Sequence, residues 1–397
     1  MRSMGVYIHI PFCVRKCVYC DFLSGPATRQ RQQAYLEALL REIVWESGHY
    51  TDYIVKTIFI GGGTPSILEA EETAKILDCL RAHYQIDADV EITLEMNPGT
   101  ADQEKLLKLK RAGINRLSIG LQSADNDELK MLGRIHTYED FLRTYYQARE
   151  DGVSNINIDL ISALPGQHLD RWVRTLEKVV ALQPEHISAY SLIIEEGTQL
   201  HDNRDAWAPV PEEEEDRLMY QETKRILADH GYRRYEISNY AKPGYECRHN
   251  RIYWQRGVWH TADFVGFGLG ANSTVGDRRW ENTKNMERYL SVFQERNVGL
   301  YDSRLAENRS VGESVKEDAI RLFDMEQMAE FMFLGLRMME GVSKREFTAS
   351  FEEDMDEIYG DALQKWIQMG LMAQDGDTVM LTDAGIDVSN TVLSSFV

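Results

Sequence analysis

Three of the five cysteines in the 397-residue chain stand in one short stretch, Cys13-Val14-Arg15-Lys16-Cys17-Val18-Tyr19-Cys20. A C-x3-C-x2-C loop can bring three thiolates onto three irons of one 4Fe-4S cubane, since clusters are held by cysteine thiolates at short spacings. The fourth iron would then lack a protein ligand, and chemistry would occur at that open position. Zinc is the competing reading; it needs a fourth Cys or His, for which His9 is available although it lies in a strand pattern. A disulfide fits less well, because an odd cysteine count without a secretory signal indicates a reducing compartment. Cys79 reads as a core residue of a helical segment.

Further polar residues collect where β-like runs end. The runs stand at 6–10, 57–60, 91–95, 116–121, 155–161 and 186–192, separated by amphipathic segments at 33–46, 70–83, 104–111 and 171–182. Strand–helix alternation indicates βαβ units around a parallel sheet. The cysteines follow the first run and Gly61-Gly62-Gly63-Thr64-Pro65-Ser66 the second. Glu95-Met96-Asn97-Pro98-Gly99 ends the third, Gln122-Ser123 the fourth, Asp159 lies in the fifth and Tyr190-Ser191 close the sixth. Barrels assemble sites from the C-terminal ends of several strands, whereas doubly wound sheets gather ligands at one switch point. The pattern predicts an α/β fold with a partial TIM-like (β/α)6 barrel.

Beyond the barrel, Pro211 and the acids Glu212 to Asp216 read as a helix start, because proline suits the first turn and acids complement the dipole. A strand is expected at 232–237, followed by Cys247-Arg248-His249-Asn250-Arg251-Ile252-Tyr253-Trp254. Gly266-Phe267-Gly268-Leu269-Gly270 lacks the dinucleotide register and indicates backbone packed closely against a ligand or a helix. Helices at 327–339, 343–347 and 352–369 with a hairpin of 371–373 and 379–381 predict an α-rich, winged-helix-like C-terminal module. The expected division is 1–200 for the barrel with its iron–sulfur loop, 201–310 for an extension of the barrel, and 320–397 for the C-terminal module.

A net charge of −20 disfavours nucleic acid or anionic lipid as the main partner, because binding to phosphates runs on Lys and Arg. The C-terminal module, with few bases among many acids, reads as a lid or docking element rather than a DNA reader. No stretch approaches the ~18 apolar residues of a membrane span. A cytoplasmic location is expected, with a peripheral position at the membrane kept beside it.

The cysteine loop, the triple glycine and the third-strand carboxylate together resemble the radical S-adenosylmethionine (SAM) superfamily. The strings Tyr7-Ile8-His9-Ile10-Pro11-Phe12-Cys13, 61–66, 95–99, 117–123, 159–167 and His249-Asn250-Arg251-Ile252-Tyr253-Trp254 are similar to the oxygen-independent coproporphyrinogen III dehydrogenase (HemN) branch, including HemW. The resemblance implies a 4Fe-4S cluster on Cys13, Cys17 and Cys20 whose open iron is chelated by SAM. An electron from a reductant such as flavodoxin or ferredoxin then cleaves SAM to methionine and a 5′-deoxyadenosyl radical. The resemblance assigns Tyr7, Tyr19, Gly62, Gly63, Thr64, Glu95, Gln122, Arg134 and Asp159 to SAM contacts. Their chemistry suits the part: glycines let the main chain approach, Glu95 and Asp159 offer carboxylates, Gln122 a neutral amide and Arg134 a cationic fork. The plainer alternative pairs Glu95 or Asp159 with Arg134 inside the barrel and leaves Gln122 to cap a loop.

Two departures separate the chain from the dehydrogenase. Phe22 stands where that enzyme has a further cysteine, and the first strand begins almost at Met1, without the enzyme's N-terminal extension. Both features go with decarboxylation, so the expectation moves to the HemW pattern of a haem chaperone. That resemblance implies haem as ligand and membrane haemoproteins of the respiratory chain as recipients; a homodimer is left open. Coproporphyrinogen III oxidation is the alternative, and a radical SAM RNA modifier disagrees with the acidic charge. His249 is the candidate axial haem ligand, against a hydrogen-bonded structural histidine; Cys247 is a second candidate contact, against a small buried hydrophobe.

Overall fold

Six parallel strands lie side by side in chain order in the computed structural model, which describes residues 1–260, 262–294 and 315–397. They are β1 (Arg2–Ile10), β2 (Tyr53–Gly62), β3 (Gln85–Met96), β4 (Arg116–Gln122), β5 (Ile156–Ser162) and β6 (His186–Ser191). Between them run α1 (Arg29–Glu46), α2 (Ala70–His83), α3 (Gln103–Ala112), α4 (Asn126–Met131), α5 (Tyr138–Glu150) and α6 (Leu169–Val180). Unbroken sequential order is that of a barrel; a doubly wound sheet would reverse at a switch point. Alternation along each strand divides the layers. In β4, Leu117, Ile119 and Leu121 join the hydrophobic core, while Arg116, Ser118, Gly120 and Gln122 line the barrel interior.

The barrel does not close from β6 to β1. At the β6 edge the sheet continues through antiparallel β8 (Asn239–Ala241) to β7 (Arg233–Arg234). At the β1 edge it continues through parallel β9 (Asp263–Phe267) to β10 (Asn272–Val275), β11 (Arg278–Asn282) and β12 (Lys316–Arg321). The strand expected at 232–237 is cut to two residues. Tyr235 N–H donates to Asn239 O at 3.1 Å, and Glu236 accepts from Ser238 N–H at 2.9 Å, which turns the chain into β8. Positions 295–310 of the expected extension lie outside the described residues.

The acidic tract opens the helix Glu213–Asp229, with four acids in its first turn. The glycine loop packs on α1. Gly268 has φ +101, and a Cβ there would stand 2.3 Å from the Tyr35 hydroxyl, which donates to His9 O at 2.7 Å and accepts from Leu269 N–H at 3.0 Å.

Helices Asp324–Gly335, Lys344–Phe351 and Met355–Gln368 and the small sheet β13 (Val342–Ser343), β15 (Thr378–Leu381), β14 (Met372–Asp375) form the C-terminal module. Ser343 caps its second helix, as expected. The third begins at Met355 rather than 352, because Glu352 ends the preceding helix with φ +59 and Asp354 supplies the next cap. The module packs on the helix Arg248–Trp254 through Arg251–Glu340 at 2.6 Å and the Arg337 guanidinium 4.4 Å from the Trp254 ring centre. Among the described residues, no helix is long and apolar enough to cross a membrane.

Candidate functional site

The cysteine loop is tied down at both ends and at its middle. Cys13 N–H donates to Gly25 O and Gly25 N–H to Pro11 O, both at 3.1 Å, which pins the loop entrance to its exit. Val18 N–H donates to Leu132 O at 3.2 Å, while Val18 O accepts from Leu200 N–H at 2.9 Å. Cys13, Cys17 and Cys20 consequently line one cavity of about 460 Å³ at the C-terminal ends of the strands. Among the described residues, no three metal-binding side chains converge tightly enough for a single ion. Three thiols lining one cavity could hold a cubane, which takes each thiolate on a different iron. His9 does not join them: its ring nitrogens meet Tyr7 Oη at 3.0 Å and Leu23 O at 2.9 Å.

Opposite the cysteines, the glycine turn approaches closely. Gly63 N–H donates to Ile10 O at 2.9 Å and Thr64 N–H to Phe12 O at 2.7 Å. A Cβ at Gly63 would lie 2.5 Å from Phe12 O, so no larger residue fits. Gly62, with φ +111, donates its N–H to Glu95 Oε2 at 3.0 Å. Gln122 has φ +72 where the β4–β5 register shifts; such a bulge re-aims a side chain at a strand end, here onto the cavity wall. Arg134 Nη2 donates to Asn97 Oδ1 at 2.6 Å and Gly120 O at 2.7 Å, and Nη1 to Cys17 Sγ at 3.6 Å. Arg134 is therefore not the partner of Glu95 or Asp159. Tyr19, Gly62, Gly63, Thr64, Glu95, Gln122, Arg134 and Asp159 all line the cysteine cavity. Tyr7 lies one layer deeper, in a second cavity that shares Glu95, Ser118, Asp159 and Tyr190 with the first.

Asp159 accepts from Ser118 Oγ at 2.9 Å and Asn157 Nδ2 at 2.8 Å. Burial pushes its carboxyl above the usual range, against the lowering effect of these donors and of Arg116. Glu95 is pushed up to about 8 by burial and by the neighbouring Asp159 charge. Two carboxyl groups face one cavity, with no salt bridge to either among the described residues, and they can offer oxygen acceptors to a cationic ligand.

His249 is fully buried in the floor below. Its Nδ1 meets Thr57 Oγ1 at 2.7 Å, its Nε2 meets Tyr253 Oη at 2.9 Å, and its ring stacks on Phe59. Burial lowers its pKa to about 3, so the ring is neutral, and ligation of a metal would require giving up one of these two bonds. Cys247 is buried beside Glu91, with its thiol pushed up to about 12 by burial. Residues given no role of their own in the sequence patterns complete the site: Asn97, within the Glu95–Gly99 string, bridges Thr64 Oγ1, to which it donates at 2.8 Å, and Arg134. Ser118, Asn157 and Arg116 govern Asp159. The signal for Arg116 was a charge inside an apolar strand, in alternation with Ser118.

The Radical SAM superfamily model matches residues 7–179, and the HemN C-terminal domain model matches residues 324–388. The chain is 35% identical over 394 residues to "Heme chaperone HemW" of Bacillus subtilis, covering 99% of this chain and 98% of that protein. It is 34% identical over 400 residues to the Escherichia coli protein of the same name, covering 100% and 98%. It is 31% identical to a mouse protein described as "Radical S-adenosyl methionine domain-containing protein 1, mitochondrial", covering 98% and 86%. Among solved structures, that of E. coli coproporphyrinogen III oxidase (HemN) superposes with a TM-score of 0.82 at 24% identity, covering 100% of this chain and 90% of that one, which shows a shared fold. Fold and site together define a radical SAM barrel with a HemN-type C-terminal domain. Within that class, the chain belongs to the HemW family.

Proposed function

We propose that the chain is a haem carrier that binds haem and delivers it to membrane haemoproteins of the respiratory chain. The observation that carries this reading is the end-to-end identity of 30–35% to proteins named haem chaperones. Phe22 supports it: the side chain is 68% exposed at the cysteine cavity, where a further thiol would otherwise stand.

Cys13, Cys17 and Cys20 would hold the 4Fe-4S cluster, which supplies an open iron and an electron from a small reductant such as flavodoxin or ferredoxin. Gly62, Gly63 and Thr64 offer close backbone to SAM, Glu95 and Asp159 set carboxylates against its cationic groups, and Tyr19, Gln122 and Arg134 close the cavity wall. Tyr7 supports this wall from below through His9. Haem delivery is tested by incubating the haem-loaded chain with membranes containing a haem-free respiratory oxidase. The reading predicts loss of the chain's Soret band matched by gain of the oxidase spectrum; transfer no faster than from free haem would contradict it.

A further inference from the structure

Arg116 is 1% exposed, yet no hydrogen bond or ion pair of its guanidinium is found among the described residues, and its Nε is buried without a partner. It lines the second cavity, about 290 Å³ in volume, directly beneath the cysteine cavity. The floor is the helix Arg248–Trp254, held by Glu91, which accepts from Arg248 N–H and His249 N–H, both at 3.1 Å. An arginine carries five donors, and a buried donor without a partner gives up its hydration for nothing in return. Something other than protein must therefore meet them.

An anion is a poor occupant. It would face Glu95 and Asp159 on the walls and Glu91 behind the floor. Neutral acceptors fit, and at about 30 Å³ each the space holds on the order of ten waters. Tyr7, Tyr190 and Tyr253 supply hydroxyls around it, and Asn250 an amide. The other titratable neighbours of Arg116 and its carboxylates are His186, Tyr235, Cys247 and His249, of which both histidines are held neutral by burial.

We propose that this chamber is filled with ordered water bonded to Arg116, and that Arg116 acts through it as a positioning residue for the Asp159 and Glu95 carboxyls that face the SAM cation. The proposal rests on the SAM reading of the cavity above. Arg116 lowers the proton affinity of both Asp159 and Glu95. Without it, both carboxyls hold their protons more tightly and the cavity loses negative charge.

Two measurements decide it. In the first, SAM binding to the cluster-loaded full chain is followed from pH 6 to pH 9 for wild type, Arg116→Lys and Arg116→Met. The proposal predicts that Arg116→Met binds about tenfold more weakly at pH 7, one pKa unit being a factor of ten. It also predicts recovery by pH 9 and a wild-type-like profile for Arg116→Lys. A uniform loss across the range would mean structural damage and would overturn the positioning role, as would a superimposable profile. In the second, a high-resolution crystal structure of the SAM-free chain should show waters bonded to the Arg116 guanidinium; a dry chamber overturns the proposal. If wild type binds no SAM at any pH, the SAM reading and the positioning role fail, while the water positions still decide the chamber.

Discussion

Arg134 donates one guanidinium N–H to the thiol of Cys17 at 3.6 Å while its other terminal nitrogen is fixed by Asn97 and Gly120. The cation is thus clamped from β3 and β4 against the middle cysteine of the loop. Hydrogen bonds to cluster sulfurs tune reduction potential, and a donor stabilises the more negative, reduced state. Arg134→Met is expected to lower the cluster midpoint potential by tens of millivolts, ~59 mV being a factor of ten for one electron. An EPR-monitored redox titration of the reconstituted chain measures it; an unchanged midpoint would exclude this role.

Cys17→Ala removes the middle thiol without touching the backbone bonds of Val18 that hold the loop. Iron and sulfide content after anaerobic reconstitution should fall to a small fraction of wild type, with loss of the cluster absorbance. Cys79→Ala should leave both unchanged, because Cys79 lies in α2 with its thiol against Leu40 O. Full iron loading of Cys17→Ala would remove it from the ligand set.

Glu95 protonates at about 8 in the folded chain against an ordinary 4.5. Between those values the folded state keeps a proton that the unfolded state has lost, so this group's contribution to stability falls as pH rises through that window. Glu95→Gln makes no such exchange. Its SAM-free melting temperature should exceed wild type by a margin that grows from pH 5 to pH 8, while SAM binding weakens by about tenfold or more. Parallel melting curves across that pH range would contradict the assignment.

Glu91 anchors the helix that carries the His249–Trp254 string. Glu91→Ala strips acceptors from two backbone N–H groups and from the Cys247 thiol, at roughly 1–3 kcal/mol for each buried donor left unmade. Urea denaturation should show an unfolding free energy lower by that order, seen as an earlier midpoint at an unchanged slope. His249→Phe, which keeps the ring stacked on Phe59 but loses Thr57 and Tyr253, should be destabilised and still bind haem in equal stoichiometry. Loss of haem at wild-type stability would instead make His249 a ligand.

Much of the fold is legible in the sequence. The βαβ alternation predicts the six parallel strands, because strands buried on both faces read as short apolar runs between amphipathic helices. The strand-end motifs predict the residues around the cysteine cavity. What escaped was set by partners distant in sequence. Arg134 reads as a cationic fork, and Asn97 and Gly120 hold it in place, while Tyr7 lines the deeper of the two adjoining cavities. His249 meets Thr57, far upstream, through its Nδ1, a contact that no local pattern announces. The helix α5 carries an ordinary signal, Phe141, Tyr145 and Ala148 behind a Thr137 cap, within a span that the strand pattern left unassigned.

The central claim is that this radical SAM barrel carries haem rather than making its precursor. The cluster-reconstituted chain should be titrated with haem while the Soret band is recorded, and the same preparation supplied with coproporphyrinogen III, SAM and reductant. The account predicts saturable haem uptake near one equivalent and no protoporphyrinogen. Turnover of coproporphyrinogen without haem uptake would contradict it.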